Sequence, residues 1–185
     1  MAKRRKFPVL SAGAEYLVMG ALMRRNIQTC KAFECNANYD LICVNPENIG
    51  KKLDSCVRIQ VKSRAQRDND GGFFVPINDG QPCFDGFDYL VAVFLNVAYW
   101  GDGKYRGFNS EGIDDEVEMY VFPSDVLKKN KNWFSGKRLR LNKKIAGEIE
   151  QYRNWKGIEK IAKRLRVPEI PTKGKALIKS KKKGK

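Results

Sequence analysis

The chain has 185 residues with 42% hydrophobic content, which fits one domain with a real core and short appendages. Its net charge of +15 points to a polyanionic partner, DNA or RNA before an anionic membrane surface. It has no histidine, and none of its five cysteines (Cys30, Cys35, Cys43, Cys56, Cys83) stands in a CxxC pair, which argues against His-based acid–base chemistry and against a zinc site. No apolar run approaches the roughly 20 residues of a membrane span. Phe7-Pro8-Val9-Leu10 is too short for the apolar core of a signal peptide. The expectation is an intracellular protein, cytoplasmic or nucleoid-associated, with free thiols.

Residues 1–10 form a basic arm. Ser11 is a candidate N-cap for a helix running to about Arg25, with Ala14, Leu17, Val18, Ala21 and Leu22 on one apolar stripe and Asn26 as its end. Glu15 lies beside that stripe, where a carboxylate near a helix start is also favoured by the helix dipole. Strands are expected over 27–33, 39–45 and 56–62, the last two joined by a polar turn at 45–52. Cys43 and Cys56 sit on these strands as small apolar residues. Strand side chains alternate faces, so Val57, Ile59 and Val61 point into a core while Arg58, Gln60 and Lys62 point the other way. If 39–45 and 56–62 pair as a hairpin, Asp40, Gln60 and Lys62 converge. A carboxylate, an amide oxygen and an ammonium at one spot suit a hard metal ion and a phosphodiester.

Beyond this point, 63–72 is a polar segment, and Ser63, Arg64 and Arg67 are placed to contact phosphates. A short strand is expected at 73–77. Residues 87–95 are almost continuously apolar, the mark of a strand buried on both faces of its sheet. The Gly- and aromatic-rich stretch 99–109 reads as a turn or inserted loop whose aromatics could stack on bases, and 110–118 is acidic. A strand at 118–122 leads into a short helix capped by Pro123-Ser124-Asp125, and Leu139 and Leu141 suggest a short edge strand with a basic face. An amphipathic helix over 143–153 is broken by Trp155-Lys156-Gly157. A second helix around Ile158, Ile161 and Leu165 carries Lys160, Lys163 and Arg164 on its other face, where they could lie on a DNA backbone. Residues 169–185 are a lysine-rich tail suited to sequence-independent phosphate binding. The division is therefore an arm (1–10), a core (11–142), C-terminal helices (143–168) and a tail (169–185).

An upstream helix with Glu15, an Asp40 opening a strand, and Gln60-Val61-Lys62 on the next strand resembles the PD-(D/E)xK nuclease superfamily, which includes restriction endonucleases, Holliday-junction resolvases and some homing endonucleases. Tyr39 stands where the family name has Pro, and Gln60 where Glu or Asp is usual; the Gln variant resembles a minor branch of small homing and restriction enzymes. The resemblance covers roughly residues 9–125. It implies an α/β, restriction endonuclease-like core with a mixed central sheet flanked by helices and a helical C-terminal extension. It implies Mg²⁺, with Mn²⁺ as a substitute, held by Asp40, Glu15, Gln60 and the Val61 carbonyl, with Lys62 acting on the attacking water or the phosphate. Duplex DNA is the expected substrate, and cutting both strands calls for a homodimer or higher even oligomer. A non-catalytic DNA- or RNA-binding protein, a ribosome-associated protein and a Holliday-junction resolvase are the competing readings.

Overall fold

A computed structural model describes residues 8–33, 38–50, 56–65, 72–78, 81–96, 98–101, 104–108, 117–141 and 145–167. The centre is a five-stranded sheet of order β1-β2-β3-β7-β10, built from β1 (Gln28–Lys31), β2 (Leu41–Val44), β3 (Cys56–Arg64), β7 (Tyr89–Phe94) and β10 (Glu118–Pro123). The β3–β7 pair is parallel and the other pairs are antiparallel, so the sheet is mixed. The expected mixed α/β architecture is the one observed. All six residues of β7 are buried, as its unbroken apolar run requires.

Alternation along the strands divides the core in two. Val57, Ile59 and Val61 of β3, with Tyr89, Val91 and Val93 of β7, face α1 (Pro8–Met23) and α4 (Asn154–Leu165). Ala14, Val18 and Leu22 of α1 and Ile158, Ile161 and Leu165 of α4 complete that layer. On the opposite face Leu90, Ala92, Phe94, Tyr120 and Phe122 pack with Phe73, Trp133, Leu139 and Tyr152. This second layer is built by β4 (Gly72–Phe74), α2 (Ser124–Lys129), β11 (Phe134–Ser135), β12 (Arg138–Arg140) and α3 (Ala146–Ile149). Two small ribbons, β5 (Ile77–Asn78) with β6 (Gln81–Pro82) and β8 (Ala98–Gly101) with β9 (Lys104–Phe108), complete the described elements. Among the described residues no helix is long and apolar enough to cross a membrane.

Several local expectations need correction. The first helix begins at Pro8, so Ser11 lies inside it and is not its cap; proline is tolerated in a first turn because its missing N–H has no intrahelical partner there. Asn26 does take the left-handed conformation just past the helix, φ 60°. Cys43 is buried, and burial pushes its thiol up to about 12, but Cys56 opens β3 exposed to solvent. Within the stretch 99–109, β8 and β9 pair antiparallel, while residues 102–103 and 109 lie outside the described residues. The basic strand β12 is not an edge strand: it is the middle of the sheet β11-β12-β4, with Leu139 opposite Phe73. Of the helix expected over 143–153, the described residues form α3 and a following 3-10 turn, Glu150–Tyr152, while 143–144 lie outside the described residues. The break falls at Arg153 and Asn154 (φ 45°), and Trp155-Lys156-Gly157 lie within α4. The basic arm up to residue 7, most of the acidic stretch and the lysine tail lie outside the described residues.

The C-terminus of α4 is tied to the sheet by two buried amides. Asn45 Nδ2 and Asn48 Nδ2 both donate to the Leu165 carbonyl, at 2.8 and 2.9 Å, meeting one of the acceptors that a helix end leaves open. Either asparagine alone still satisfies that carbonyl, so Asn48→Ala should cost about 1 kcal/mol. The Asn45→Ala/Asn48→Ala double variant should cost more than the sum of the single variants, because only it strands the acceptor. Urea unfolding of the three variants checks the inequality.

Candidate functional site

Asp40 is held by both neighbouring strands. Its backbone N–H donates to the Ile59 carbonyl and its carbonyl accepts the Ala32 N–H, each at 2.8 Å. The β2–β3 register, Leu41 opposite Ile59, sets Asp40 across from Gln60 when continued by one residue. The Asp40 carboxylate then accepts the Val61 backbone N–H at 2.6 Å and an N–H from the Gln60 side chain. The acid is thereby fixed as part of the sheet ladder and is not left to swing at a strand end.

Gln60 is 3% exposed. Its amide nitrogen is used on Asp40, while its Oε1 is buried with no hydrogen-bond partner. Such an orphan costs about 1–3 kcal/mol, so a buried acceptor of this kind calls for an explanation. Lys62, two residues on, shares the Gln60 face of β3 and is half-buried. Glu15 follows the buried Ala14 on α1 at the margin of the helix's apolar stripe, and Lys31 of β1 pairs with its carboxylate at 2.9 Å. The Lys31 ammonium also lies 4.9 Å from the Tyr16 ring centroid.

Glu15, Asp40 and Lys62 open into one cleft of about 300 Å³, which Val61 also borders. Ser63 and Arg64 continue its wall, so these two proposed phosphate contacts are brought to the same place. Arg64 is also tied locally, its Nε donating to the Gly72 carbonyl at 3.1 Å. Arg67 lies outside the described residues. The α4 cations are elsewhere. Arg164 pairs with Asp88 at 3.3 Å, and Asp88 in turn pairs with Arg58 at 3.2 Å. Arg58 precedes Lys62 by four residues on β3, about 13 Å along the strand. Lys160 packs its ammonium 3.9 Å from the Tyr152 ring centroid, and Lys163 is exposed. Sequence reasoning missed Ser11, Phe73 and Phe74 as cleft residues and Lys31 as the partner of Glu15.

Burial pushes the Asp40 carboxyl above its ordinary value; the Val61 N–H and the Lys62 charge pull it back, the Glu15 charge raises it and the Gln60 amide lowers it. Glu15→Gln removes a negative charge that opposes ionisation. The Asp40 titration should therefore move to lower pH in that variant, which ¹³C NMR of the carboxyl carbon in metal-free protein would show. An unmoved or upward-shifted titration contradicts the coupling.

The donor set fits a hard divalent cation. Among the described residues no group of three or more His, Cys, Asp or Glu gathers, and the cleft holds two carboxylates, Asp40 and Glu15. Magnesium takes one or two carboxylates and keeps several waters. Asp40 and Glu15 line the cleft and meet that need, whereas Gln60, its Oε1 buried without a partner, does not line it.

No family model matches the sequence, and no curated protein matches it. Among solved structures, that of the bacterial homing endonuclease I-Ssp6803I is similar, with 17% identity over 93% of this chain and 97% of that chain and a TM-score of 0.47.

Proposed function

We propose that this chain is a metal-dependent endonuclease that hydrolyses phosphodiester bonds in duplex DNA. The observation that carries the reading is one cleft that gathers a strand-locked Asp40, Glu15 and Lys62. In a chain of net charge +15, such a site suits a polyanion whose backbone needs charge neutralisation before attack. Asp40 is the main anionic ligand, Glu15 the second, and Gln60 and the Val61 carbonyl give neutral oxygens. When bound, Mg²⁺, with Mn²⁺ as a substitute, supplies charge neutralisation at the phosphate and acidifies water. Lys62 orients the attacking water or stabilises the extra charge that builds on the phosphoryl oxygens. Since the described residues of a chain hold one such site, double-strand cutting is assigned to a homodimer or higher even oligomer. The Gln-x-Lys variant favours a restriction or homing role.

Supercoiled plasmid with Mg²⁺, with and without EDTA, tests the reading. Metal-dependent linearisation supports it together with the paired sites. Nicking alone supports the chemistry and removes the oligomer. Salt-sensitive binding with no cleavage of plasmid, junction or single-stranded DNA replaces it with a non-catalytic DNA-binding protein.

A further inference from the structure

Residues 126–147, between Asp125 and Glu148, carry eight of the chain's 36 Lys and Arg and no acid. This stretch contains β11 and β12, and β12 pairs with β4, whose Phe74 lines the cleft beside Lys62 and Arg64. Leu139 is buried in the second core layer, so its neighbours Arg138 and Arg140 point to the other face of β12. Arg138 lies opposite Phe74, its guanidinium carbon 4.7 Å from the ring centroid, and the Lys137 ammonium is 5.7 Å from the same ring. Arg140 keeps its Nε buried without a hydrogen-bond partner, so the fold does not use that donor. A continuous path thus leads from the cleft across Phe74 to a cationic rim.

The rim answers a charge problem. The cleft wall holds the acids Glu15 and Asp40 and the cations Lys62 and Arg64, which cancel. Without a bound metal such a wall has no net charge to attract a polyanion, and phosphates next to the scissile one need cations further out. We propose that the rim of Lys137, Arg138 and Phe74 binds the DNA phosphodiester backbone flanking the scissile bond, with Phe74 holding the two cations over the path. This rests on the nuclease reading for its substrate.

The test is fluorescence anisotropy of a labelled duplex in EDTA over a salt series, so that cleavage has no part in the readout and failure of the nuclease reading is scored separately. Each phosphate contact removed should flatten the plot of log affinity against log salt by about 0.9. Lys137→Gln/Arg138→Gln should therefore lose about 1.8 in slope. Lys156→Gln, exposed on α4 and given no DNA contact, should leave the slope unchanged. Lys137→Ala, at the turn beside Gly136, keeps the measurement interpretable if the double variant does not fold, with an expected loss of about 0.9. An unchanged slope in folded Lys137→Ala, or a loss confined to Lys156→Gln, overturns the assignment.

Discussion

Asp40→Asn protein is expected to lose about 10³-fold or more of its Mg²⁺-dependent cleavage while binding duplex DNA as well as the wild type. Asparagine has the size of aspartate and keeps an oxygen to accept the Val61 N–H, which is 2.6 Å from the carboxylate in the wild type. The strand ladder at this point therefore survives, and what disappears is the charge. Stability separates loss of function from loss of fold. The Asp40 carboxyl is raised in the folded state, chiefly by burial. A group raised on folding binds more protons in the folded state, so its stabilising contribution is present at low pH and lost as pH rises through the folded value. At neutral pH the ionised carboxylate is therefore a net cost, and Asp40→Asn should melt no lower than wild type. Lys62→Ala removes no buried partner and should lose about 10²–10⁴ in rate. Wild-type cleavage rates from both variants, measured on plasmid with an EDTA control, would rule out this site.

The sequence exposed this site because its parts depend on local periodicity. The two-residue period of β3 sends Val57, Ile59 and Val61 to one core and leaves Gln60 and Lys62 together, and antiparallel pairing with the preceding strand brings Asp40 opposite Gln60. None of this required knowledge of a distant partner. Where an element's environment is set by a remote segment, sequence reasoning failed. The strand around Leu139 looked like an edge because alternation reports a face and not a neighbour; its partner Phe73 lies 66 residues earlier. The Leu165 carbonyl is capped by side chains 120 and 117 residues away. Lys31 was an ordinary basic residue until the docking of α1 on the sheet brought Glu15 within 2.9 Å. Phe74 became a cleft residue for the same reason, since β4 reaches the wall through its pairing with β12.

Gly157→Ala is the substitution for which helix propensity and packing predict opposite signs. Gly157 lies within α4, and inside a helix alanine is better than glycine by about 1 kcal/mol, so propensity alone predicts a more stable protein. In the fold, Gly157 is buried where α4 crosses β10. A Cβ built there would stand 2.5 Å from the Tyr152 carbonyl oxygen and 2.6 Å from Val121 Cβ. Both are backbone-anchored: the carbonyl belongs to the turn that leads into α4, and Val121 lies within β10, all six residues of which pair with β7. Neither retreats as the end of a flexible side chain would, so the helix has to lift from the sheet. Lifting it loosens Ile158 and Ile161 from the same core layer as Val121. Overpacking of this kind costs about 1–3 kcal/mol, which exceeds the propensity gain. For a chain of this size a melting temperature lower by about 2–4 °C per kcal/mol follows. A melting curve with an unchanged or raised midpoint would show that α4 can slide on β10 without loss. DNA binding through the cleft rim, on the opposite face of the sheet from α4, should persist in Gly157→Ala below its melting range.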